Sequence, residues 1–166
     1  MLIREIQIED AEKLINLIKE VEATSDFMLM EPGERKTTPE QQGKQLERIA
    51  QQTNATILVA ENDDRLVGYM FVLGGTAQKT KHSAYIVIGI LNEYRGQGVG
   101  TALFKHAEEW ARIQQITRLE LTTVTENTAG VALYKKSGFE IEGVKRNSLN
   151  INGNYVDEYY MSKLLG

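Results

Sequence analysis

The strongest constraint on the fold of this chain is a change of hydrophobic period near its middle. Residues 83 to 91, Ser-Ala-Tyr-Ile-Val-Ile-Gly-Ile-Leu, form a nearly continuous apolar run of strand length, the pattern of a central strand covered on both faces. Beyond it Val99, Leu103, Ala107, Trp110 and Ile113 recur at helical spacing, which predicts a long helix from about 98 to 115. Between the two stands Glu93-Tyr94-Arg95-Gly96-Gln97-Gly98-Val99-Gly100-Thr101, with glycines at alternate positions where loop becomes helix. Missing side chains let a ligand reach the backbone. The first N–H groups of a helix have no internal partner and lie at its positive end, so the turn has the form of a cradle for an anion such as a pyrophosphate. It is not a P-loop, because no Gly-Lys-Ser/Thr follows. Nor is it the dinucleotide fingerprint, because Thr101 occupies the third glycine position of Gly-x-Gly-x-x-Gly. The bland alternative is a glycine-rich connector that holds nothing.

The rest of the chain surrounds this unit with further strands and helices. Residues 2 to 8 alternate apolar and polar as a half-buried strand, and Glu9-Asp10 open a helix with Leu14, Ile15, Leu17, Ile18 and Val21 on one side. Residues 24 to 38 mix loop formers with large apolar side chains, a composition that suits ligand contact. Thr38-Pro39-Glu40-Gln41 combines an N-cap, a first-turn proline and a Gln three residues past the cap, which predicts a helix from about 39 to 52. Strands at 55 to 61 and 65 to 74 flank the turn Asn62-Asp63-Asp64. A strand at 118 to 124 and a short helix at 128 to 137 follow, and strands at 139 to 149 and 155 to 163 flank the hairpin pair Asn152-Gly153. The sum is an α/β (α+β) fold, a mixed and mostly antiparallel sheet of about seven strands flanked by about four helices, in one domain over residues 1–166. A net charge of -4 and a pI near 5.3 argue against nucleic-acid binding. Zero cysteine excludes disulfides, thiolate metal sites and any cysteine nucleophile. With no apolar stretch of membrane-spanning length and no secretory pattern at the N-terminus, a cytoplasmic protein that engages no membrane is expected.

A second motif gives the glycine turn a context. Asn127-Thr-Ala-Gly-Val-Ala-Leu-Tyr134-Lys-Lys-Ser-Gly138-Phe139 places Asn127 beside a helix start, a Tyr on that helix and a Gly-Phe stop before a strand. Together with Arg95-Gly96-Gln97-Gly98-Val99-Gly100 after an apolar strand, it resembles the acetyl-CoA-binding core of the GNAT superfamily of N-acetyltransferases. The order of elements matches from about residue 2 to 164. The resemblance implies an acyl-CoA N-acyltransferase fold in which the backbone of Ile88, Gly89 and Ile90 pairs with the pantetheine arm of acetyl-CoA. It implies that the backbone of Arg95, Gly96, Gln97, Gly98, Val99, Gly100 and Thr101 holds the pyrophosphate, and that Asn127 contacts the pantetheine region. Tyr134 would sit by the thioester sulfur and protonate the leaving thiolate, as a phenol of pKa near 10 can; otherwise it is a half-buried aromatic of the core. Lys135 and Lys136 could reach the ribose phosphate, or simply be solvated.

The resemblance departs from its usual form at Tyr85, where many members carry an acidic residue that serves as general base, so the base is left open. Deprotonating an alkylamine of pKa about 10.4 at pH 7 costs roughly 4.6 kcal/mol, against about 1 kcal/mol for a peptide α-amine near 7.7. Acidic candidates elsewhere are Glu22, Asp26, Glu31 and Glu34, in or beside the apolar loop of Phe27, Met28, Leu29 and Met30; Phe27 and Glu31 are the candidate acceptor contacts. His82 and His106 have no second ligand at metal-binding spacing, so no metal is expected. Trp110 reads as core, and Tyr155, Tyr159 and Tyr160 as strand aromatics more simply than as a cleft lining. The implied activity is transfer of the acetyl group of acetyl-CoA, the cosubstrate, to a small amine, an amino-acid derivative or a protein N-terminus by direct attack in a ternary complex. The alternatives are a noncatalytic acyl-CoA-binding sensor and transfer of a longer acyl chain. A homodimer is possible.

Overall fold

The computed structural model describes all residues 1–166. Its sheet consists of β1 (Leu2–Glu5), β2 (Ala55–Asn62), β3 (Arg65–Gly74), β4 (Ser83–Ile90), β5 (Arg118–Val124), β6 (Glu140–Ile151) and β7 (Asn154–Leu164). The spatial order is β1-β2-β3-β4-β5-β7-β6, with every pair antiparallel except β4 and β5. The helices are α1 (Ala11–Thr24), α2 (Pro39–Ala50), α3 (Val99–Ile113) and α4 (Thr128–Lys136). No helix is long and apolar enough to cross a membrane.

Local chemistry accounts for most boundaries. Thr38 accepts from Gln41 N at 3.2 Å and its own N–H donates to Gln41 Oε1 at 3.0 Å, the reciprocal capping expected at the start of α2. Asp63 and Asp64, at φ 50° and 65°, make the two-residue turn between β2 and β3; Asn152 and Gly153, at 52° and 84°, make that between β6 and β7. The first strand is shorter than its alternation suggests. It stops at Glu5 because Asp10, which closes a 3₁₀ turn over Ile8–Asp10, accepts from Gln7 N at 2.8 Å and from Arg4 at 2.8 and 3.1 Å, drawing the chain off the sheet.

The two faces of the sheet are covered unequally. On one face α3 packs Leu103, Phe104 and Ala107 over the sheet residues Met70, Val72, Ala84, Ile86 and Leu119. On the other, α1 and α2 cover β2 and β3, where Ile57, Val59 and Tyr69 are buried. The expectation that β4 is covered on both faces is wrong. Ala84 and Ile86 are buried, but Tyr85 and Val87 are each 37% exposed. Two things cause this: the α1–α2 layer lies mainly over β2 and β3 and only α1 reaches β4, and β5 pairs with β4 only from Ser83–Tyr85 to Arg118–Glu120 before it follows β7 along its whole length. The sheet therefore splits into a wedge between β4 and β5.

Candidate active site

Beyond Tyr85 one edge of β4 has no neighbour. Leu91 N donates to Val67 O at 2.9 Å, on the β3 side. Since successive residues of a strand aim their N–H and C=O to opposite sides, those of Ile88 and Ile90 face the gap where β5 has left. Only the Ile90 carbonyl is engaged, by Arg95 Nε at 3.4 Å. Ile88 and Ile90 thus offer strand-type pairing to an extended ligand, whereas the backbone of Gly89, the third residue the resemblance implies, faces β3 opposite Tyr69 and is not offered to the gap.

The glycine turn lies at the open end of this edge. The N–H groups of Gly96, Gln97, Gly98, Val99, Gly100 and Thr101 donate to no acceptor in the chain; the first helical bond runs from Ala102 N to Gly98 O at 3.0 Å. Gly96 and Gly98 adopt φ of 72° and 83°, and a Cβ on either would meet nothing within 4 Å, so the space before the turn is open. Gln97 braces the turn by donating Nε2 to Glu93 O at 2.8 Å. A row of outward N–H groups at a helix start is a fit for a pyrophosphate. Gly100 has a different reason to be glycine, which corrects the reading that all three admit a ligand. A Cβ there would lie 2.6 Å from Leu133 Cδ2 and 3.3 Å from Ile90 Cδ1, so its bareness lets α4, α3 and β4 meet at one point.

That meeting point carries Tyr134 to the wedge. Tyr134 is 9% exposed, with its ring edge-on to Phe104 at 5.8 Å. Its hydroxyl makes no hydrogen bond within the chain but still touches solvent, since Ser137 Oγ alone is both sealed and unpartnered. Burial, helped by the nearby Tyr85 phenol, pushes its pKa up to about 12. Tyr85, at the position of the missing acid, spans the vertex of the wedge by a 2.8 Å hydrogen bond to Thr122 Oγ1. Asn127 Oδ1 accepts from Gly130 N at 3.1 Å and so caps α4, leaving its Nδ2 unspent. Lys135 and Lys136 are exposed in the last turn of α4.

The same face of β4 holds the groove that an acceptor would enter. Cross-strand register puts Tyr85, Val87 and Gly89 on the face shared by Tyr69, Glu120, Thr122 and Tyr160. The three C-terminal tyrosines separate: Tyr160 is 46% exposed on this face, Tyr159 packs on the opposite core, and Tyr155 stands exposed at the hairpin tip. Of the candidate acids, Glu22 is buried and bound by Arg35 at 2.8 to 3.0 Å. Glu34 Oε1 accepts from Glu31 N at 3.1 Å within a turn. The carboxylates of Asp26 and Glu31 are exposed and make no hydrogen bond within the chain, and Phe27 is half-buried. Arg35, Tyr69 and Thr122 were not singled out from the sequence, because their neighbours are distant in it. A cavity of about 620 Å³ elsewhere, lined by Ile6, Ile8, Trp110 and Ile113 among others, contains none of the expected site residues.

Comparison with known proteins agrees with this geometry. The model of the acetyltransferase (GNAT) family matches residues 20–139. An L-amino acid N-acetyltransferase of Escherichia coli K12 is 33% identical over 122 residues, covering 71% of this chain and 74% of the relative. A Bacillus subtilis protein whose provisional name is ribosomal protein bS18-alanine N-acetyltransferase is 30% identical over 153 residues, 91% of this chain and 88% of that one. A GNAT acetyltransferase structure from Streptococcus pneumoniae superposes with a TM-score of 0.95 at 32% identity over 99% of both chains. The Salmonella typhimurium yncA structure, which holds acetyl-CoA, shares the fold with a TM-score of 0.88 at 15% identity, covering 99% of this chain and 94% of that one.

Proposed function

The chain belongs to the acetyltransferase (GNAT) family, and from that premise we propose that it moves the acetyl group of acetyl-CoA to the primary amine of a small amine, an amino-acid derivative or a protein N-terminus, with both substrates bound at once. The observation that carries the reading is the wedge: β4 parts from β5 after Tyr85, and the free edge at Ile88 and Ile90 leads to the unpartnered N–H groups of Gly96 to Thr101. One ligand with an extended amide arm and a pyrophosphate satisfies both sets of groups.

When bound, acetyl-CoA supplies an acyl carbon whose bond to sulfur breaks as the amine nitrogen bonds to it. Ile88 and Ile90 orient the arm, and the helix start of α3 holds the phosphates. Tyr134 acts at the sulfur. With its phenol near 12 and a thiol near 8.5, complete proton transfer to the thiolate is uphill by about 3.5 units, roughly 5 kcal/mol. Its role is therefore a hydrogen bond to the departing sulfur, with the proton itself coming from solvent. The amine must lose a proton without an acid on β4, since Tyr85 is a phenol held by Thr122. The exposed Glu31 and the half-buried Phe27, both on the segment between α1 and α2, are the acceptor contacts we assign.

Thiol release from acetyl-CoA across a panel of amines, amino acids and N-terminal peptides tests the reading. Turnover with at least one acceptor, and initial-rate lines that intersect as the amine is varied, are expected; turnover also rejects the noncatalytic sensor. Parallel lines, or an acetylated enzyme formed without acceptor, would overturn the ternary path.

A further inference from the structure

The gap between β4 and β5 ends in a corner walled on three sides. In the plane of the sheet the two strands are joined by their last pairs, Ser83–Arg118, Ala84–Leu119 and Tyr85–Glu120. On the core side stand Ile86 and Leu121, each 3% exposed, in one cluster with Phe104 and Tyr134. On the open side Tyr85 leans forward. Its register partner is Glu120, yet its hydroxyl meets Thr122 Oγ1, two residues further along β5, at 2.8 Å. Two strand residues span about 7 Å, so this side chain roofs that length of the gap from its closed end. Thr122 already pairs with Tyr160 of β7, so the bond joins two strands at a level where their backbones no longer pair. Val87, the next residue of β4 on that face, stands open, and the roof stops with Tyr85.

We propose that Tyr85, tethered across this corner by Thr122, is an acyl-length stop that admits the acetyl group of acetyl-CoA and rejects longer acyl chains. The inference rests on the acetyltransferase reading and adds what selects the acyl-CoA at the same site. The direction of the ligand follows from its two anchors. The unpartnered N–H groups of Gly96 to Thr101 lie beyond the C-terminal end of β4, and the free edge runs back from Ile90 to Ile88 toward Tyr85. An acyl-CoA that seats its pyrophosphate at the turn and lays its arm on this edge carries its acyl end toward the corner. Each added methylene then pushes further under the Tyr85 ring, where the strands are already paired. The core side yields only by displacing Ile86 and Leu121 from a close-packed cluster. The open side yields only by breaking the bond between Tyr85 and Thr122. A phenol suits this task, because the rigid ring supplies bulk and the hydroxyl at its far end reaches the opposite strand. The position at which the resemblance expects an acid is thereby given to choosing the acyl group rather than to deprotonating the amine.

Calorimetric titration with acetyl-CoA, propionyl-CoA and butyryl-CoA tests this apart from catalysis. One methylene in a fitted site is worth roughly 10- to 200-fold, so the parent should bind acetyl-CoA about tenfold or more tighter than butyryl-CoA, with propionyl-CoA between them. Tyr85→Ala removes the roof and should lower that ratio to about threefold or less. Thr122→Val keeps the shape of the residue but frees the ring, and should lower the ratio about threefold. Affinity for free CoA, which has no acyl group to place in the corner, is the control for folding. If Tyr85→Ala does not fold, Thr122→Val decides alone. Equal affinity of the parent for all three compounds, binding of none, or a ratio that survives Tyr85→Ala overturns the stop. Absence of turnover on every amine, with the length preference present in the parent and lost in the variants, would instead sink the transferase reading and leave the stop standing. Turnover with no length preference would do the reverse.

Discussion

Replacing Tyr134 by Phe separates chemistry from packing more cleanly than any other change at this site. The ring keeps its edge-on contact with Phe104 at 5.8 Å, and the lost hydroxyl has no partner in the chain, so stability near neutral pH should change by less than about 1 kcal/mol. A hydrogen bond to a charged group is worth about 1.5 to 3 kcal/mol, or roughly 13- to 160-fold in rate, and water entering the gap restores part of it. We therefore expect kcat to fall about 10- to 100-fold while the acetyl-CoA Kd stays within about twofold. The same residue makes a separate prediction for stability. Its phenol is raised from 10 to about 12 in the folded state, so its contribution is fully present below pH 10 and is lost as pH rises toward 12. At pH 11 that loss is about 1.4 kcal/mol for the parent and absent for Tyr134→Phe. Steady-state thiol release at saturating substrates, calorimetric acetyl-CoA binding, and urea unfolding at pH 8 and pH 11 give the three readings. Full activity in a folded variant would return Tyr134 to the core. A loss of binding as large as the loss of kcat would make it a contact to acetyl-CoA only.

The remaining predictions concern other parts of the site and fold. Gly98→Val should weaken acetyl-CoA binding about tenfold or more by filling the open space before the turn, with a stability loss of about 1 to 2 kcal/mol from its φ of 83°; unchanged affinity in calorimetry would remove the turn from the site. Gly100→Ala should instead destabilise the fold, because its Cβ would press on Leu133 at 2.6 Å, and thermal unfolding should show a drop larger than that of Gly98→Val. Glu31→Gln should raise the acceptor KM and leave acetyl-CoA affinity nearly unchanged, and equal kinetics would exclude Glu31 from acceptor binding. Asp10 is held below its ordinary 3.8 by its bonds to Arg4, so its contribution is present above that pH and lost as pH falls through the lower folded value. Acid unfolding of Asp10→Asn should begin from a lower stability and show a shallower pH dependence than the parent.

What the sequence determined by itself is what neighbouring residues decide among themselves. Thr38 and Gln41 cap α2, the pairs Asp63-Asp64 and Asn152-Gly153 turn the chain, and Gly98 at positive φ opens α3, all within a few residues. The family motif was legible for the same reason, since a helix start that offers its N–H groups is a local object. The open face of β4 was not legible, because residues 83 to 91 are apolar at both parities and carry no alternation to mark the exposed side. Only the limited reach of α1 and α2 beyond β3, and the departure of β5 toward β7, left Tyr85 and Val87 uncovered. Glu22 read as a loop acid until Arg35 closed on it, and the missing side chain of Gly100 read as room for a ligand until Leu133 filled the space above it. In each case the deciding neighbour comes from another strand or helix. Close packing of elements remote in the chain assigns a residue to core, groove or cradle, and that information exists only once the elements have come together.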